Sequence, residues 1–174
     1  MNIINDKIIL RSIETEDKNL LHELINDPNI EKSVGGWSFP VSNYKQEKWI
    51  ESQQLTNSNS LLRLIITDKS NNNGVGTLML SDIDYKNGSA EIHIKISNQQ
   101  QGKGFAKSSL SAIIKYCESE LRLHSLYAKI LEDNLSSRKL FESNGFILDG
   151  LERERIFKNG KFNNVAIYTL ILEG

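Results

Sequence analysis

The segment from Ser89 to Leu121 constrains the fold most. In SAEIHIKI, Ile92, Ile94 and Ile96 would share one face of a strand, and Glu91, His93 and Lys95 the other. SNQQQGKG follows at once, and then FAKSSLSAIIKYCESEL, which places Leu110, Ile113, Ile114, Cys117 and Leu121 on one helical stripe. A strand that feeds a long helix through a two-glycine turn leaves the first main-chain N–H groups of the helix facing that turn. The helix dipole favours an anion there. Gly102 and Gly104 let the chain bend and let a ligand approach the main chain, while Lys103 and Lys107 add charge at the rim. A glycine turn that merely caps a helix fits the same residues.

Two familiar phosphate loops do not fit. The nucleoside-triphosphate loop wants glycine where Ser97 stands, and serine or threonine, not Gly104, after Lys103. The dinucleotide fingerprint lacks its third glycine. A net charge of −1 carries no basic bias of the sort a dedicated nucleic-acid binder shows. The 174 residues, 39% hydrophobic and 25% charged, suit one domain over 1–174 with a sizeable core. Cys117 is the single cysteine, which rules out an internal disulfide and reads as a small buried hydrophobe. No signal peptide and no membrane-length apolar run is seen, so the expected location is cytoplasmic, without a membrane partner.

The remaining pattern is mixed α and β. Lys7 to Ile13 reads as a strand and Glu14 to Asp27 as a helix, with a glycine- and aromatic-rich loop after it. Ser42 caps a helix through Trp49 and Ile50. LLRLIITD and GVGTLMLSDIDY form a hairpin across KSNNN, and KNGS turns into SAEIHIKI. SLYAKIL is a strand, NLSSRKLFESNG a short helix stopped at Gly145, and the tail a long hairpin turning at KNGK. The expected class is α/β of the α+β type, a mostly antiparallel sheet with helices on its faces.

The order of strand, Gln99-x-x-Gly102-x-Gly104 and long helix resembles the acetyl-CoA-binding core of the GNAT N-acetyltransferases. EDNLSSRKLFESNGF is similar to a second segment of that superfamily, through Asn134, Ser137, Leu140, Phe141, Glu142, Gly145 and Phe146. NGKFNNVAIYTL resembles the ending of the branch containing ribosomal-protein Nα-acetyltransferases and spermidine N-acetyltransferases. The resemblance implies a sheet splayed at the cofactor groove. It further implies that Ile94, Lys95 and Ile96 offer main-chain groups to the pantetheine arm of acetyl-CoA. Gln101, Gly102, Lys103, Gly104, Phe105, Ala106 and Lys107 would cradle its diphosphate, and Asn134, Ser137 and Phe141 would line the groove. No metal is implied.

Acetyl transfer to an amine needs a neutral amine, a polarised thioester and a proton for the thiolate. Glu91 and His93 are the candidate bases; each is also an ordinary polar strand residue. Phe141 stands where many relatives carry the tyrosine that serves as general acid, and it has no proton to give. Ser136 or Ser143, water or the outgoing ammonium would have to supply one. Trp37 and Phe39, with Glu91, are the expected acceptor-binding residues, and Asp27 and Glu31 could attract a cationic amine. The expected partners are acetyl-CoA and an amine acceptor (a protein N-terminus, a polyamine or an amino sugar), with a homodimer through the terminal strand as a further possibility. The competing expectations are a CoA-binding module without catalysis and, more remotely, a nucleotide phosphotransferase.

Overall fold

The computed structural model describes residues 2–36, 39–55 and 59–173, excluding the side chains of 54 and 55. The strands are β1 (Ile3–Ile4), β2 (Ile8–Arg11), β3 (Leu62–Asp68), β4 (Gly74–Asp84), β5 (Ser89–Ile96), β6 (Ser125–Leu131), β7 (Ile147–Lys158) and β8 (Lys161–Ile171). They form one sheet in the order β1-β2-β3-β4-β5-β6-β8-β7. Neighbours pair antiparallel except β5 and β6, which run parallel.

Alternation along the strands sends side chains into two layers. Leu64, Ile66, Leu78, Leu80 and Ile92 join a large core with Leu110, Ile113 and Cys117 of α4 (Phe105–Ser119). Ile65, on the opposite face, packs with Ile13, Leu21 and Ile50 from α1 (Lys18–Asn26), α3 (Asn43–Leu55) and the chain before them. Helices therefore cover both faces. Burial pushes the Cys117 thiol up to about 12, so it stays protonated as a core residue.

The expected helix over Glu14 to Asp27 is a 3-10 turn, Thr15–Asp17, followed by α1. A further helix, α2 (Pro28–Ser33), occupies chain that the pattern assigns to a loop. Its signal was present: Asp27 accepts from the N–H groups of Asn29 and Ile30, and Pro28 sits at the first helical position. Ser42 caps α3 through the Lys45 N–H, as expected.

Candidate active site

β5 and β6 are the centre of the site. They pair only at Ser89↔Ser125, Ala90↔Leu126 and Glu91↔Tyr127, and then part. Beyond Glu91 the β6-facing main chain of β5 has no strand beside it, and a groove of about 970 Å³ opens there. It is lined by β5 from Glu91 to Ile96, by β6 from Ala128 to Leu131, and by the Gly102–Lys107 turn. Asn134, Ser136, Ser137 and Phe141 form its floor, and α2 with Gly35 and Gly36 its far wall.

At one end of the groove lies the two-glycine turn. Gly102 has φ 74° and Gly104, the N-cap of α4, φ 82°, both in the left-handed region. No acceptor among the described residues takes the main-chain N–H groups of Gly102 to Lys107; the α4 ladder begins with Ser108 N–H on the Gly104 carbonyl at 3.1 Å. Six open donors at a helix N-terminus fit a diphosphate by number and by polarity. A Cβ at Gly102 would meet nothing within 4 Å, and one at Gly104 only the Lys7 ammonium at 3.7 Å. Lys7 also lies over the Phe105 ring, 5.2 Å from its centroid. This cation reaches the turn from β2's N-terminal edge, and no local pattern announces it. Gln101 braces the turn by donating to the Ile96 carbonyl at 3.1 Å, and Lys103 donates to Gln100 at 2.9 Å.

Further along β5, Glu91 is 7% exposed and lies between an imidazole and an ammonium, with one oxygen 3.7 Å from His93 Nε2 and the other 3.7 Å from Lys129 Nζ. His93 Nε2 is also 2.8 Å from Ser81 Oγ. Burial pulls the imidazole below its ordinary value of 6.5, against the opposing pull of the Glu91 charge. Burial and Lys158 likewise lower the Lys95 ammonium. The face shared by Glu91, His93 and Lys95 is thus partly enclosed, not the solvated face that alternation alone suggests.

Asn134 caps α5 (Leu135–Glu142) by accepting from Ser137 N–H at 3.1 Å, while its Nδ2 donates to the Ser33 carbonyl at 2.9 Å. Phe141 is buried edge-to-face against Phe146, with centroids 5.0 Å apart. The Tyr168 phenol lies outside the groove lining: its hydroxyl accepts from Arg138 at 2.9 Å and donates to Glu142 at 2.7 Å. Ser143 donates its hydroxyl to the Leu140 carbonyl at 2.9 Å, whereas Ser136 and Ser137 line the groove.

On the acceptor side, Trp37 lies outside the described residues, and Phe39 is largely exposed. The wall formed by Glu31 to Gly36 is held by Lys158, at the end of β7. This buried ammonium donates to the carbonyls of Glu31, Val34 and Gly36 and pairs with the Glu31 carboxylate at 2.9 Å. Lys158, Lys129 and Lys7 were missed in the sequence because their partners lie far away in the chain.

The matched family settles the class. Residues 7–147 match the model of the acetyltransferase (GNAT) domain. The chain belongs to the GNAT acetyltransferase family. Spermidine N(1)-acetyltransferase of Vibrio cholerae is 29% identical over 163 residues, 93% of this chain and 91% of that protein. The ribosomal-protein-serine acetyltransferase of Escherichia coli is 22% identical over 98% of this chain and 96% of that one. The crystal structure of the Vibrio cholerae spermidine N-acetyltransferase in complex with CoA and spermine superposes with a TM-score of 0.87 at 28% identity, covering 97% of both chains. This GNAT chain is an acetyl-CoA-dependent N-acetyltransferase, with the family's mixed, splayed sheet. Among the described residues, no cluster of three or more His, Cys, Asp or Glu side chains could hold a metal, and no helix is long and apolar enough to cross a membrane.

Proposed function

We propose that acetyl-CoA lies in the β5–β6 groove, and that a primary amine is acetylated where His93 and Glu91 line it. The parting of β5 from β6 beside six open N–H donors carries this reading. The Gly102–Lys107 main chain holds the diphosphate, helped by Lys103, Lys107 and Lys7. Ile94, Lys95 and Ile96 pair their main chain with the pantetheine arm as an added strand would. Ser137 and Phe141 bound that arm. Asn134 exchanges the Ser33 carbonyl for the cofactor as the groove fills.

The reaction forms an N–C bond and breaks the C–S bond. His93, neutral because burial disfavours its charged form, takes the proton that the amine loses, and the Glu91 carboxylate stabilises the imidazolium. One proton leaves the amine and one is needed by the thiolate, so solvent closes the balance without a phenol at position 141. The relatives bear names for spermidine and for ribosomal-protein serine acetylation, and both acceptors are primary amines. A homodimer through β7, an edge strand of the sheet with Ile147 exposed, and a reducing compartment belong to the same reading.

The test is thiol release from acetyl-CoA with a panel of polyamines, amino sugars, amino acids and N-terminal peptides. Release that requires an amine and falls by about 100-fold in His93→Gln is expected. CoA binding with no release from any amine would refute it and favour a binding module.

A further inference from the structure

A second cavity, of about 510 Å³, lies between the sheet and helices α1 and α3 and meets the first groove at His93, Ile94 and Lys95. That volume suits a small ligand. Leu21, Leu24, Val41, Trp49 and Met79 make its walls apolar. Val41 is fixed in place by Asn26, which accepts its N–H at 2.8 Å and donates to its carbonyl at 3.0 Å. The polar lining is Lys45, Gln46, Arg63, Thr77, His93 and Lys95, and no described lining residue carries a carboxylate.

The cationic and amide groups of this cavity lack an anionic partner among the described residues. Gln46 is 5% exposed, yet its side-chain amide makes no hydrogen bond among the described residues. Arg63 spends Nη1 on Gln53 Oε1 at 2.6 Å and lies over Trp49 at 5.6 Å, with no carboxylate paired to it among the described residues. The Lys95 ammonium makes no ion pair or hydrogen bond among them either; it is repelled by Lys158 and attracted by Glu31, which is already paired with Lys158. A buried amide and half-buried cations without an anion carry a desolvation cost, and a bound carboxylate would relieve it.

Strand register sets the spacing. Arg63, Met79 and His93 stand in one row across β3, β4 and β5. Neighbouring strands are ~4.8 Å apart, so the Arg63 and His93 main chains are separated by about 10 Å, with Met79 between them. A ligand with its anion at Arg63 and its amine at His93 would lay an apolar body over Met79.

We propose that this cavity binds the acceptor, and that the acceptor is a monoamine with an apolar body and a carboxylate. Its carboxylate sits on Arg63 and Gln46, and its amine reaches the thioester groove beside His93. The assignment rests on the acetyl-transfer reading above and narrows it. Along the cavity a polyamine would meet three cationic side chains and no lining carboxylate; Glu91 lies beyond it, against His93, where the reacting amine sits.

The test uses CoA-loaded full-length protein and a matched pair, 6-acetamidohexanoate and 6-acetamidohexanamide, which differ by one charge. Calorimetry should find the acid at least about tenfold tighter than the amide, the scale of one charge-assisted contact. Arg63→Met should erase that difference and leave CoA affinity unchanged, and Gln46→Leu should reduce it. Thiol release should be faster with 6-aminohexanoate than with spermidine. Equal binding of acid and amide by the parent protein, an undiminished preference in Arg63→Met, or faster release with spermidine would overturn the proposal. Arg63-dependent binding of the acid without thiol release from any amine would uphold the carboxylate site and refute acetyl transfer alone.

Discussion

Ile96 to Lys107 and Asp27 to Gly36 face one another across the same groove, and they are built from different materials. The first uses main chain: two glycines at positive φ and a row of open N–H groups held by the helix that follows. The second uses side chains reaching over long sequence distances. Lys158 gathers the carbonyls of Glu31, Val34 and Gly36, and Asn134 takes the Ser33 carbonyl. A seat made of main chain suits a ligand that never changes. A wall made of side chains can be re-cut for a new acceptor while the sheet beneath it stays the same.

Substitutions should separate the two materials. Gly104→Glu ought to have the largest effect. Backbone strain of about 1–3 kcal/mol joins a carboxylate placed in the anion seat, so CoA affinity should fall by about 100-fold or more by calorimetry, with the folded spectrum retained. His93→Gln should leave CoA affinity intact and lower kcat by about 100-fold. Its partner sharpens the point. The Glu91 charge raises His93 against the lowering by burial, so removing it in Glu91→Gln lets the imidazole fall further below 6.5. The active form is neutral imidazole. The acid limb of the kcat profile should therefore move to lower pH in Glu91→Gln, and a limb moving upward would contradict the assignment.

The wall should respond differently. Lys158→Met leaves the Glu31 carboxylate and three carbonyls without their buried cation, and breaking a buried pair costs about 3 kcal/mol. Thermal unfolding should show the loss, and the acceptor KM should rise while CoA affinity holds. The smallest effect belongs to Lys7→Ala. This exposed cation at the rim should cost CoA binding about threefold, less at high salt, when affinity is followed against ionic strength.

The same division explains what could be read from the sequence. The alternation of Ile92, Ile94 and Ile96, the glycine turn and the α4 stripe are local patterns with periods of two and 3.6 residues, and the structure reproduces them. Asn134 as a helix cap was equally local. Lys158 was not, because its partners stand 122 to 127 residues earlier. α2 was missed although Asp27 and Pro28 form a regular start, since its six residues are too short for apolar periodicity to show. The cavity over Met79 was also hidden. Arg63, Gln46 and His93 share it only because β3, β4, β5 and α3 are brought together by the fold.

The most direct measurement is an amide-resolved NMR titration of the full chain with CoA. The largest shifts should fall on the N–H groups of residues 102–107, as open donors acquire phosphate oxygens, with a second set along 94–96. Saturable binding that left 102–107 unmoved while perturbing other surfaces would contradict the main-chain seat on which the account is built.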